Sequence, residues 1–138
     1  MDKLKQVLQN NDLKATHQRL CILDTLEKKG HIDIDNLFEL VSKQYPTISK
    51  ATLYRNINEL IDKNIVVEVK IPHQKNRYEI KKEPHIHLVC KYCGEVIDDI
   101  IDISSLINNI KQTKQFQVES SSILFEGVCK NCTNKGHL

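Results

Sequence analysis

The chain has no tryptophan, one methionine, four glycines, three prolines and no homopolymeric run. So little glycine and proline excludes a fibrous or low-complexity architecture. Apolar residues at 40% against 28% charged are the profile of a chain that folds into a globule. No apolar run approaches the roughly 18 residues a membrane helix needs. The opening MDKLKQVLQNND is amphipathic and charged rather than an apolar signal core, so a cytoplasmic protein with no membrane partner is expected. With 138 residues, the limit is one mid-sized fold or two small lobes.

An excess of one charge is missing too. A formal net charge of +2 argues against nonspecific binding of polyanions by the whole molecule, but the sum hides a polarity. Residues 1–82 hold fifteen lysines and arginines against eleven acids, whereas residues 83–138 hold five against seven. All three arginines, Arg19, Arg55 and Arg77, fall in the first part. A basic front lobe suits phosphate contacts and an acidic rear lobe suits cations; chance variation of solvated charges would give the same arithmetic.

What is present in quantity is cysteine in pairs. Cys90-Lys91-Tyr92-Cys93 and Cys129-Lys130-Asn131-Cys132 are two C-x-x-C knuckles separated by 35 residues. Each knuckle sets two thiolates on one ion, and two knuckles complete a closed tetrahedral zinc site with no position open to substrate, so the site is structural. Disulfides are the competing reading, disfavoured in a reducing compartment. Cys21, between Leu20 and Ile22, reads as a buried small hydrophobe.

Apolar spacing predicts a helix over residues 2–10, a second capped by Thr16 and stopped at Gly30, and a third from Ile32 to Tyr45 capped by Asp33 or Asp35. A fourth is capped by Ser49 and ends before Asn64. The period then changes: 65–71 and 77–80 read as strands around a turn at Pro72–Asn76. Helix-turn-helix followed by a β-hairpin is the order of a winged helix, whose last helix enters a major groove of double-stranded DNA. On the fourth helix Lys50, Thr52, Tyr54, Arg55 and Asn56 offer donors for phosphates and base edges, unless they are an ordinary solvated face.

Lys81-Lys82-Glu83-Pro84 reads as a hinge. Beyond it the pattern predicts strands at 85–90 and 95–101, a helix capped by Asp102, and a third strand over 116–129. The expected fold class is therefore α+β: a winged helix-turn-helix domain at 1–82, then a small α/β dimerisation domain at 83–138 with a four-cysteine zinc site. The thin core of the second calls for a metal staple, and its open sheet edge for a second copy of the chain.

His85-Ile86-His87 sets two imidazoles on one strand face. With Glu79, Asp98 and His31 they offer three nitrogens and two carboxylates, suited to Fe(II), Mn(II) or Zn(II). Histidines on a half-buried strand are also common without a metal.

The segments Leu13-Lys14-Ala15-Thr16-His17-Gln18-Arg19, Ser49-Lys50-Ala51-Thr52-Leu53-Tyr54-Arg55-Asn56 and His85-x-His87-x-x-Cys90-x-x-Cys93 through Cys129-x-x-Cys132 resemble the ferric uptake regulator family over nearly the whole chain. The resemblance implies a homodimeric, metal-dependent repressor binding an inverted-repeat operator, with no small organic substrate. It implies one structural zinc per chain on Cys90, Cys93, Cys129 and Cys132, and one regulatory Fe(II) or Mn(II) on His31, Glu79, His85, His87 and Asp98. Lys14 and Tyr54 match positions that face DNA; Arg19 and Ser49 lie in the same motifs.

Departures point to a branch. Pro84-His85-Ile86-His87 replaces the His-His-Asp-His of iron-uptake members, and Lys114 stands where a further histidine ligand would fall. His17 replaces the family's usual proline, with a local effect only. One regulatory site resembles the peroxide-stress regulators, in which ligating histidines are oxidised, here His31 and His85. Glu79 stands where those sensors carry Asp, which keeps open an iron-uptake or other metal-uptake repressor blind to peroxide. A non-haem iron enzyme on His85, His87 and Glu79 leaves too few residues for a substrate pocket. A zinc-stapled adaptor would lack salt-dependent DNA affinity.

Overall fold

A computed structural model describes residues 2–136. The chain divides into two compact units, the first ending at Lys81 and the second starting at Lys82, within the polar run.

The first unit runs α1 (Asp2–Asn10), α2 (His17–Lys29), β1 (Ile32–Asp33), α3 (Ile34–Gln44), α4 (Lys50–Asp62), β2 (Val66–Val69) and β3 (Arg77–Ile80). Two of its helices, α2 and α4, begin where the sequence supplies an acceptor. Thr16 Oγ1 accepts from the Arg19 N–H at 3.2 Å, and Ser49 Oγ from the Thr52 N–H at 3.0 Å, each satisfying a donor that the first turn leaves unpaired. Gly30, at φ 78°, ends α2 with its N–H on the Leu26 carbonyl. Its left-handed φ is one a side chain would oppose. Leu4 and Leu8 of α1, Leu23 and Leu26 of α2, Leu37 and Val41 of α3, and Leu53, Ile57 and Leu60 of α4 close one hydrophobic core.

Two boundaries differ from the sequence reading: the strand expected over 65–71 is confined to Val66–Val69, and the third helix starts later than expected. Ile32 and Asp33 are not the start of the third helix but a short strand, paired antiparallel with Tyr78 and Arg77, in a sheet of order β1-β3-β2. Local periodicity cannot register partners 44 and 46 residues away. Asp33 still occupies the N-cap position of α3, but its carboxylate accepts from the Asn36 side chain and caps no backbone N–H. The hairpin turn places Pro72 before His73, whose φ is 62°. That is the turn type in which proline pre-sets the first corner and the second needs a positive φ.

The second unit contains β4 (Ile86–Cys90), β5 (Val96–Asp99), α5 (Ser104–Lys114), β6 (Leu124–Gly127) and α6 (Lys130–Asn134). β4 is central, antiparallel to β5 and parallel to β6. The expected third strand is shorter than the 116–129 run: only Leu124–Gly127 pairs, and α6 follows where no helix was predicted. Asp102 does not hold the N-cap position, which is Ile103, yet its carboxylate accepts from the Ser104 N–H at 2.9 Å. Among the described residues no helix is long and apolar enough to cross a membrane.

Candidate metal centres and nucleic-acid interface

β4 carries chemistry at both ends: His87 stands near its start and Cys90 is its last residue. The knuckle after it turns through Gly94, whose φ of 77° lets its N–H return to the Cys90 carbonyl at 2.9 Å. β6, parallel to β4, delivers Cys129 beside Cys90, and Cys129 then caps α6 with Cys132 one turn on. All four sulfurs lie within 4.8 Å of one another, and Cys93 Sγ is 3.7 Å from Cys129 Sγ. A tetrahedron of Zn–S bonds of about 2.3 Å has a sulfur–sulfur edge of about 3.8 Å, whereas a disulfide needs about 2.05 Å. All five cysteines are free thiols. The four-sulfur set fits zinc in both chemistry and spacing.

The thiols are electrostatically unequal. The Cys129 N–H, and then the Cys93 N–H, hold the Cys90 thiol down to about 6. Burial, and then the neighbouring sulfurs, push Cys132 up to about 12. Cys90 is thus the readier of the two to act as a thiolate, and a bound cation is what draws the proton from Cys132. Cys21 is apart from them, buried in the first unit with its thiol pKa raised chiefly by burial.

A second donor set opens the strand. His85 Nδ1 lies 3.0 Å from the Glu83 carbonyl oxygen, which can only accept, so Nδ1 carries the proton and Nε2 presents its lone pair. That Nε2 is 3.2 Å from His87 Nε2, and the rings meet edge to face at 72°. Asp98, paired with His87 across the β4–β5 ladder, brings Oδ1 to 3.4 Å from His87 Nε2. Its other oxygen accepts from Lys82 Nζ at 3.0 Å. Ligand atoms of His85, His87 and Asp98 all lie within 4.8 Å of one another. Two imidazoles and a carboxylate converging in this way are a mixed N/O set that fits a borderline divalent ion.

The other two sequence candidates belong to the first unit. Glu79 is a buried carboxylate on β3. His31 precedes β1, and its Nδ1 accepts from Arg77 Nη1 at 3.0 Å, while Arg77 Nη2 donates to Gln74 Oε1.

On α4, Leu53, Ile57 and Leu60 face the core, leaving Ala51, Tyr54, Arg55 and Asn58 outward; the sequence reading did not single out Asn58. Lys14, Ser49 and Lys50 are exposed as well. Thr52 and Asn56 are half-buried, with the Asn56 amide turned back onto the Thr52 carbonyl. Arg19 points inward: its guanidinium pairs with Glu59 and donates to the Lys14 carbonyl at 3.0 Å, with 15% of the side chain exposed. A periodicity argument sees a charged residue in an amphipathic helix and cannot see a carboxylate 40 residues on. Lys75, in the hairpin, was also missed; it pairs with Asp35, as does Lys50.

A model of the ferric uptake regulator family matches residues 10–126. The chain is 29% identical over 133 residues to the peroxide-responsive repressor PerR of Staphylococcus saprophyticus, covering 93% of this chain and 88% of that one. It is 28% identical over 145 residues to the ferric uptake regulation protein of Bacillus subtilis, covering 98% and 95%. Among solved structures, the Campylobacter jejuni peroxide stress regulator superposes with a TM-score of 0.76 at 36% identity, covering 94% of this chain and 98% of that one.

Proposed function

The chain belongs to the ferric uptake regulator family, and from that premise we propose that it is a cytoplasmic, metal-dependent transcriptional repressor of the peroxide-stress kind, not an enzyme. The observation that carries this reading is the convergence of His85, His87 and Asp98 on one point, with a separate four-thiol site built around Cys90 at the far end of β4. The four thiols hold a structural zinc. The His/Asp set is the regulatory site for Fe(II) or Mn(II), completed by Glu79 and His31 from the first unit. Glu79 suits that role because its carboxylate adds an oxygen donor of the kind that borderline divalent ions take.

The first unit reads DNA. Tyr54 and Arg55 face base edges, and Lys14, Ser49, Lys50, Thr52 and Asn56 face the backbone or support those that do. Arg19 is a positioning residue, tying the Lys14 loop to α4 through Glu59. The second unit dimerises: Ile97, Ile100, Ile101, Leu106, Phe116 and Phe125 are all exposed in a unit of few residues, and a second copy is the partner that covers them. With the regulatory site filled, its ligands hold the two units in one arrangement and set the paired α4 helices at the operator's spacing. A coupling of about 3 kcal/mol changes DNA affinity on the order of a hundredfold.

His31→Ala tests the bridge. Metal-stimulated binding to an operator duplex should fall while zinc stays near one per chain; full metal stimulation in the variant refutes it. Glu79 in place of Asp favours a second reading, an iron-uptake repressor indifferent to peroxide. Mass spectrometry after Fe(II) loading and low peroxide separates the two. A gain of one oxygen atom on His31 or His85 supports the peroxide branch; unmodified histidines with Fe(II)-dependent binding support the other.

A further inference from the structure

Asp35 occupies the first turn of α3, where the helix dipole favours a carboxylate. One of its oxygens takes Lys50 Nζ at 2.5 Å, and the other takes Lys75 Nζ. Lys50 is the first residue of α4, and Lys75 lies in the hairpin between β2 and β3, so a single carboxylate joins the start of the outward helix to the wing. Lys50 also sits 5.9 Å above the centre of the Phe38 ring, a second tether to α3.

Stability does not explain this arrangement. The three side chains are 39%, 49% and 68% exposed, and pairs so exposed contribute little to folding. What the carboxylate does change is the field that two lysines present, and their freedom, on the face read as meeting DNA. A lysine ammonium on its flexible stem grips any phosphate within reach, whatever the sequence. Held as a pair around Asp35, the two ammonium groups keep fixed places, and the carboxylate itself repels phosphate. Nonspecific duplex therefore meets a weaker positive field and a repulsive group. An operator gains base contacts at Tyr54 and Arg55 that offset the repulsion. Discrimination arises as much from disfavouring the wrong partner as from favouring the right one.

We propose that Asp35 is a specificity-determining residue for DNA, a brace that fixes Lys50 and Lys75 and suppresses nonspecific phosphate binding. The inference rests on the reading of the first unit as DNA-binding, and the test separates the two. A duplex enriched from a random-sequence pool by the metal-loaded wild-type protein serves as the specific probe, and the unselected pool as the nonspecific one. Asp35→Asn should bind the unselected pool severalfold more tightly, and its log affinity should fall more steeply with log salt, by about 0.9 for each lysine released to a phosphate. The ratio of specific to nonspecific affinity should drop severalfold. Asp35→Glu, which restores the charge, should return the salt slope to the wild-type value, an effect that a loss of folding stability would not produce. A wild-type ratio and slope in Asp35→Asn overturn the brace while leaving the DNA reading intact. A wild-type protein that enriches no duplex overturns both.

Discussion

The two units solve the problem of stability in opposite ways. In the first, leucines, isoleucines and valines from four helices close on one another around Leu23, Leu26, Leu53 and Leu60, none of which retains any exposure. In the second, the buried apolar positions are Ile86, Val89 and two of the cysteines, while no described residue of α5 is buried. Its aliphatic and aromatic side chains, Ile100 at 62% and Phe116 at 61% exposed among them, face outward. A unit this poor in core cannot offset its chain entropy by burial alone. The difference teaches that the first unit is held by packing, and the second by a metal and by whatever covers its apolar surface.

The sharpest way to break that contrast is to remove zinc. A structural zinc site contributes on the order of 10 kcal/mol, more than so thin a core can replace. Stripping the metal, or Cys132→Ser, should unfold the second unit while the first keeps its dispersed amide spectrum in the full chain. Persistence of native β4–β6 amide protection in the zinc-free protein would mean that packing suffices there after all.

The converse perturbation has the next largest effect. Leu53→Ala opens a cavity at a fully buried position of that core and should cost about 2–5 kcal/mol. Urea denaturation followed by amide signals should show the first unit melting earlier, with zinc content unchanged. Equal destabilisation of both units would show that they fold as one.

A smaller effect sharpens the comparison within the first unit. Ser49→Ala removes the acceptor for the Thr52 N–H and should cost about 1 kcal/mol. Hydrogen exchange should localise the loss to the first turn of α4, which is the turn presenting Lys50. Unaltered exchange there would mean that packing by Leu53, and not the cap, fixes the start of the helix.

Much of this was legible from local signals. Thr16, Ser49 and Gly30 mark helix ends through groups within a few residues, and the two knuckles announce their metal because C-x-x-C brings two sulfurs to one ion without help from the fold. The convergence of His85 and His87 follows from strand alternation. β1 was not legible, since Ile32-Asp33 is a strand only because Arg77-Tyr78 lies beside it. Nor was the parallel placement of β6 against β4, which brings Cys129 to Cys90. The inward turn of Arg19 and the sharing of Asp35 by Lys50 and Lys75 depend on partners 15 to 40 residues away.

The sequence by itself determined which residues can cap, turn, pack or bind a cation, because those properties belong to side chains and their immediate spacing. The tertiary structure alone decided which charges are spent on one another: Arg19 on Glu59, Lys82 on Asp98, and both lysines on Asp35. Coulomb attraction and hydrogen bonding act through space at a few ångströms, and folding sets those distances without regard to separation along the chain.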